Sequence, residues 1–286
     1  MAPATVAIVL LAAVAHAIWN TVSKYRRGDT IVFVWAYTCL ATLLCLPFGL
    51  VPLIDGDQPV SVALLVGSLG SAVFHLLYSL TLQTGYDRHD LGVVYPVARG
   101  TGPVLTMVVA VVFFGERLGT LPIVGALVVV AGILVVTGNP LRAARPGAAG
   151  GLGWGAATGV AIAAYTLWDS YAVSALHLSP VTYFTGTFLA QSLMLAPLAL
   201  RRRGRLRLDL RRDAIPVTTV AVLSPVSYIL VLTALQTAPV ALVAPLRESS
   251  IVIGSLLAWR LFHEGQLARR LVGAAIVLAG IAAIAL

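Results

Sequence analysis

Two arginines stand where a charge is hardest to keep. Arg99 and Arg247 lie 148 residues apart, each about eight residues into a run of otherwise apolar sequence. At 1.5 Å per residue that depth is about 12 Å along a helix, near the middle of a hydrocarbon layer about 30 Å thick. A guanidinium there costs about 3 kcal/mol or more unless it meets water or a partner. Two uses fit such a group. It clamps a carboxylate or phosphonate through paired N–H donors, or it serves as a structural ion pair with Glu248 or Asp169. Those two carboxylates suit a ligand amine or a proton, and His75 titrates near neutrality, although a satisfied core histidine is an equal reading. Asn20 and Asp169 occupy matching places, each one residue after a tryptophan, Trp19 and Trp168; His75 and Tyr228 match at an offset of 153. The candidate substrate-binding set is therefore Arg99, Arg247, Asp169, Glu248, Asn20, Trp19, Trp168, His75, Tyr95 and Tyr228. Asp169, Glu248 and His75 are the candidate proton carriers. For the aromatic members, with Tyr165 and Tyr171, packing or an interfacial belt is the commoner use.

The elements that position these groups come in two copies. His16-Ala17-Ile18-Trp19-Asn20-Thr21 recurs 149 residues later as Tyr165-Thr166-Leu167-Trp168-Asp169-Ser170. Gly115-Glu116, Gly125 and Gly132 recur 148 residues later as His263-Glu264, Gly273 and Gly280. With 59% hydrophobic residues, 10% charged residues and a mean hydropathy of +0.95, the chain calls for a bilayer as its solvent, since soluble proteins carry about a quarter charged residues. At roughly 20 residues per spanning helix, ten helices nearly exhaust its 286 residues. The expected fold is all-α and integral to the membrane: ten transmembrane helices as two inverted five-helix repeats, because an odd number of spans per copy turns the second copy upside down. Spans are expected at 4–23, 30–53, 60–82, 91–114, 121–138, 152–175, 180–200, 214–236, 240–262 and 268–286. The first repeat takes 1–139, a linker 140–150 and the second repeat 151–286. The first span reads as a retained anchor, because its basic residues follow it rather than precede it.

Proline and helix-weakening residues surround both buried arginines, in Tyr95-Pro96-Val97-Ala98-Arg99-Gly100 and between Pro239 and Pro245. Distorted helices at matching places in two repeats mark a central site, although prolines also bend helices for packing alone. Pro96 and Pro245, with Glu116 and Glu264 at the ends of matching helices, are expected to be structural or gating residues. The glycine-bearing helices after Glu116 and Glu264 are expected to pack peripherally or against a second subunit. Cys39 and Cys45 read as small core residues.

Charge asymmetry orients the chain. Loops one, three, five, seven and nine hold sixteen lysines and arginines, seven of them between 201 and 212, whereas the other side holds only Arg117. The cytoplasmic side carries that excess, so both termini are expected outside a plasma (inner) membrane. The net charge of +8 then belongs to topology and anionic lipid, not to nucleic acid, since the basic run lacks interleaved aromatics. No grouping of His, Cys, Asp and Glu has metal-ligand spacing, so neither an enzyme nor a cofactor or metal is expected. A channel would show a continuous polar stripe or a repeated filter segment.

Taken together, Gly115-Glu116-Arg117-Leu118 with Gly125 and Ala131-Gly132, their echo at Glu264, Gly273 and Ala279-Gly280, and the His-Ala-Ile-Trp-Asn opening resemble the EamA family of the drug/metabolite transporter superfamily over nearly the whole chain. The resemblance implies two inverted repeats, a cavity from helices one, three, four, six, eight and nine, and export of small metabolites. The segments around Tyr95 to Gly100 and Trp19-Asn20 also look like a subset associated with phosphonate use. Cytoplasmic termini are thought common in such relatives, and the charge count here argues the reverse. Two positive and two negative mid-membrane groups fit a small zwitterion, an amino acid or aminophosphonate, moved by alternating access with a proton step at Asp169 or Glu248. The alternatives are a multidrug exporter of organic cations and a carrier of phosphorylated anions. The expected partners are the substrate, the bilayer and protons, in a monomer or homodimer.

Overall fold

The computed structural model describes residues 1–23, 25–89, 91–137, 149–254, 256 and 267–285. In a hydrocarbon solvent each backbone N–H and C=O must be paired within the protein, and a helix does so within one long apolar segment. Eleven are described: α1 Pro3–Ser23, α2 Thr30–Ile54, α3 Val62–Arg88, α4 Leu91–Val112, α5 Thr120–Thr137, α6 Ala149–Ser174, α7 Pro180–Leu200, α8 Arg203–Arg212, α9 Ala214–Leu235, α10 Val240–Arg247 and α11 Leu267–Ala285. Among the described residues, six stretches are long and apolar enough to cross a bilayer: α1, α2, Val62–Leu82, Val93–Val112, α7 and α9. The ten spans expected from sequence are thus confirmed only in part among the described residues. The apolar parts of α5 and α11 are shorter, α6 is long but carries glycines and Asp169, and α10 stops at Arg247. The expected linker 140–150 lies largely outside the described residues.

Helix pairs repeat about a pseudo-twofold axis. Helices α2 and α7 run antiparallel: Thr42 Oγ1 lies 3.4 Å from Ser192 Oγ, and Thr182 Oγ1 donates to Gly49 O at 2.9 Å. The α1·α9 contact, with Ser227 Oγ on Ala12 O at 2.8 Å, is the mate of the α3·α6 contact, with Trp168 Nε1 on Gly67 O at 2.9 Å. Helices α5 and α11 cross antiparallel with backbones in contact, Gly125 against Gly280 and Gly132 against Gly273. Their small-residue faces therefore meet each other, not a second subunit, because only glycine allows two helix backbones so close. The amino group of Met1 reaches Ile284 O at 3.4 Å, so the first and last helices begin and end on one side.

The basic run 201–213, expected as a loop, forms α8. Arginine and leucine are good helix formers, and the helix is held by its two acidic residues. Asp213 accepts from the Arg27 and Gly28 amides at 2.8 and 2.9 Å, and Asp209 accepts from the Asp29 amide at 3.3 Å. Asp29 in turn caps α2 through Ile31 N and Val32 N and pairs with Arg202. The turn from 25 to 29 and the arginine-rich helix thus share one end of the molecule. Burial opposes ionisation of Asp29, but the bond from Arg202 and the amides of Val32 and Ile31 outweigh it, so its carboxyl is held below the ordinary value.

Two outcomes follow. A side chain at Gly132 would place its Cβ 2.7 Å from Val277 Cγ2 and 2.8 Å from Val277 N, so G132V is expected to lower stability by about 1–3 kcal/mol, seen as a lower unfolding temperature in detergent. A depressed carboxyl stabilises above its unfolded pKa and loses that contribution as pH falls through the folded one. The stability gap between the native protein and D29N should therefore persist through the ordinary aspartate range and close only below it, which unfolding curves against pH will measure.

Candidate functional site

Seven elements bring polar side chains to the centre. The turn after α10 comes first, because its backbone is irregular. Helix α10 ends at Arg247, Glu248 and Ser249 form a turn, and helix resumes at 250–254. Glu248 N bonds Pro245 O at 3.1 Å and Ser249 N bonds Leu246 O at 3.1 Å, the tight pattern of a chain leaving its helix. The expected distortion at Pro245 is thus present. Its expected counterpart is not, since α4 runs unbroken from Leu91 to Val112 through Pro96. Helix α4 packs against α6 along Gly155 and Gly159, which admit Val97 and Thr101.

The turn delivers Glu248 to both arginines. Its Oε2 lies 2.8 Å from Arg99 Nη1, and its Oε1 lies 3.1 Å from Arg247 Nη2 and 3.3 Å from Arg247 Nε. All three residues are at most 5% exposed. Two positive charges share one negative charge, so the triad carries a net charge of +1. Each guanidinium also lies over a ring, Arg99 5.5 Å from the Tyr95 centroid and Arg247 5.7 Å from that of Tyr165, whose hydroxyl is 3.3 Å from Arg247 Nη2.

Asp169 pairs with neither arginine. It is fully buried on α6, and its two oxygens accept from Tyr183 and Tyr228, each at 2.6 Å. A carboxylate with two phenol donors is well satisfied away from water. His75 on α3 stands beside it. Its Nδ1 lies 3.0 Å from Ser71 O, an acceptor, so Nδ1 carries the proton and Nε2 faces Asp169 Oδ2 at 4.0 Å. The His75 ring stacks on Tyr165 at 4.3 Å, and this stack joins the Asp169 group to the arginine triad.

Of the expected site residues, the structure brings together Arg99, Arg247, Glu248 and Tyr95 in one group and Asp169, His75 and Tyr228 in the adjoining one. Trp168 is drawn away instead, its ring seated on Gly70 and its N–H on Gly67 O. Asn20, on the same helix as Trp19, forms no side-chain hydrogen bond among the described residues and does not mirror Asp169. Glu116 caps α10 across the repeats: it accepts from Val240 N at 2.8 Å and Ala241 N at 3.1 Å, replacing the side-chain cap that Pro239 lacks. Gly115 makes this reach with a φ of 68°, a conformation glycine adopts freely. Glu264 lies outside the described residues. Sequence reasoning missed Tyr183, which has no repeat mate to flag it, and His16, read only as part of a motif.

Among the described residues, four side-chain polar atoms are buried without a partner: His16 Nε2, Trp19 Nε1, Thr166 Oγ1 and Ser249 Oγ. Thr166 follows Tyr165, and Ser249 follows Glu248. A buried polar group left unpaired costs about 1–3 kcal/mol, so each of the four marks a place where a bond is left open.

Antiparallel helical repeats closed around a buried cluster of opposite charges define a membrane transporter. The chain belongs to the EamA-like transporter family, whose sequence model matches residues 4–138 and again residues 149–286. A solved structure described as "Crystal structure of protein" superposes with a TM-score of 0.73, covering 99% of this chain and 96% of that one at 17% identity, which speaks for the shared fold. No curated protein matched the sequence. The protein is an integral, multi-pass membrane transporter of the drug/metabolite transporter superfamily, in a family whose members are generally not enzymes.

Removing the charge of Glu248 leaves two buried guanidiniums facing each other, so E248Q is expected to lose about 3–5 kcal/mol of stability, measured by thermal unfolding. Y183F and Y228F each remove one donor from Asp169 and should cost about 1–3 kcal/mol apiece.

Proposed function

We propose that the protein is a secondary active exporter of small zwitterionic metabolites, amino acids or aminophosphonates, working by alternating access. The observation that carries this reading is the sharing of Glu248 between Arg99 and Arg247. A zwitterion exchanges partners with this triad and leaves its net charge of +1 unaltered: its carboxylate or phosphonate takes one guanidinium from Glu248, and its ammonium takes that guanidinium's place beside the carboxylate. A phosphorylated dianion would bring more negative charge than the released arginine balances. An organic cation would have to draw Glu248 from both arginines, and the Tyr95 and Tyr165 faces it would favour already carry guanidiniums.

Exchange at Glu248 also explains why binding moves the repeats. The carboxylate at the α10 break holds α4 of the first repeat to α10 of the second, so its release on substrate entry frees one repeat to rock against the other. A proton taken up at His75 Nε2, 4.0 Å from Asp169, completes a second ion pair and offers a coupling step. The turn from 25 to 29 and α8 gather their arginines at one end, which supports a cytoplasmic assignment for that end, termini outside, in the plasma (inner) membrane.

Thermal-shift screening of the purified protein against amino acids, aminophosphonates, phosphorylated metabolites and quaternary amines tests the substrate class, because binding stabilises the state that binds. Zwitterions are expected to raise the unfolding temperature, and R99K and R247K to weaken their affinity by about 10- to 100-fold through loss of the planar donor fork. Stabilisation by quaternary amines alone would replace this reading with a cation exporter. Transport in proteoliposomes that ignores an imposed pH gradient would remove the proton step.

A further inference from the structure

The two tryptophans that occupy matching places in the repeats are used differently. Trp168 on α6 presses its ring into α3, where a Cβ at Gly70 would meet the indole at 2.5 Å, and this approach brings Nε1 to Gly67 O at 2.9 Å. Trp19 on α1 packs against the buried cluster formed by Phe33 and Ala36 of α2 with Val217 and Val220 of α9. Helix α9 contains no glycine at which an indole could approach its backbone as Trp168 approaches α3. The Nε1 of Trp19 is buried and unpartnered. An indole N–H only donates, so the group it lacks is an acceptor.

His16 lies one helical turn before Trp19 on the same face, the two rings meeting edge-on with centroids 4.6 Å apart. Its Nε2 is likewise buried without a partner. His16 is the repeat mate of Tyr165, which bonds Arg247, and it lies within electrostatic reach of Arg99, Glu248 and Arg247. Helix α1 packs against α10, which carries Arg247, so the open nitrogen of His16 lies toward the arginine triad and that of Trp19 follows one helical turn further along the same face.

We infer that His16 and Trp19 form a subsite that receives an acceptor oxygen from the anionic head of the transported metabolite, the donors being the indole N–H and the Nε2–H tautomer of His16, and the head a carboxylate or phosphonate whose other oxygens meet the arginines. This rests on the zwitterion reading of the central site and deepens it. The subsite holds the head on the α1 side, where the first repeat has Asn20 in place of a carboxylate and so offers no repulsion. Trp168, already bonded to the backbone, gives the second repeat no equivalent subsite.

The test compares the full-length protein with W19F, H16F and W168F, both without ligand and with L-alanine, 2-aminoethylphosphonate or ethanolamine, the last lacking an anionic head. Without ligand, W19F and H16F should unfold at or above the temperature of the native protein, because each removes an open polar atom, whereas W168F should unfold a few degrees lower through loss of its bond to Gly67. W19F and H16F should bind L-alanine or 2-aminoethylphosphonate about 10-fold more weakly and leave ethanolamine affinity unaltered. Whichever anionic probe shows the loss identifies the head. A ligand-free destabilisation of W19F as large as that of W168F, or undiminished affinity for both anionic probes, would overturn the subsite. If no probe stabilises the native protein, the zwitterion reading fails and the subsite falls with it, whereas native binding that W19F and H16F leave undiminished overturns the subsite alone. Should one α1 variant fail to fold, the other carries the comparison.

Discussion

A carboxylate stripped of water and set between two guanidiniums governs the middle of this molecule. Breaking one side of such a group strands a buried charge, so Glu248 ties the strands of helix that carry its partners: α4 from the first repeat and α10 from the second. Several features of the fold serve that contact. The break after Arg247 turns the carboxylate inward, Glu116 caps the start of α10 from the other repeat, and Gly155 and Gly159 seat α4 firmly against α6. The interaction is strong because it is buried, and the triad keeps one unbalanced positive charge.

The same low-dielectric surroundings separate the two acidic residues by role. Asp169 is satisfied by hydroxyls and Glu248 by guanidiniums, with the stacked rings of His75 and Tyr165 between them. Neutral donors fix a carboxylate in place, whereas charged donors make it a partner that another ion can replace. The broken symmetry of the repeats has the same consequence. Asn20 against Asp169, His16 against Tyr165, and an open Trp19 against a bonded Trp168 make the two halves unequal within one frame.

Much of the frame was legible before any coordinates. The solvent, the duplication and the inverted arrangement follow from hydropathy, a repeat of 148 to 149 residues and an odd number of spans in each copy. Glycines at 125, 132, 273 and 280 announced a close helix contact, but sequence does not say whose surface meets them, and the two helices turned out to fit each other. The basic run at 201–213 was misread as loop because charge density was weighed above helix propensity and the two aspartates that anchor it. The unbroken α4 has a similar origin: proline marks a local cost, and the packing that absorbs it is contributed by another helix.

What the sequence determined by itself is the depth of the charged residues and their number, since spacing along a helix converts directly into position across the membrane. Tertiary structure decided their partners. Arg99 and Glu248 are 149 residues apart, and whether Arg99 meets Glu248, Asp169 or water depends on how helices rotate and approach to within a few ångströms. Residue spacing carries no record of that rotation. The partner of each ion, and the indole left without one, become visible only when side chains from both repeats are packed into the same dry volume.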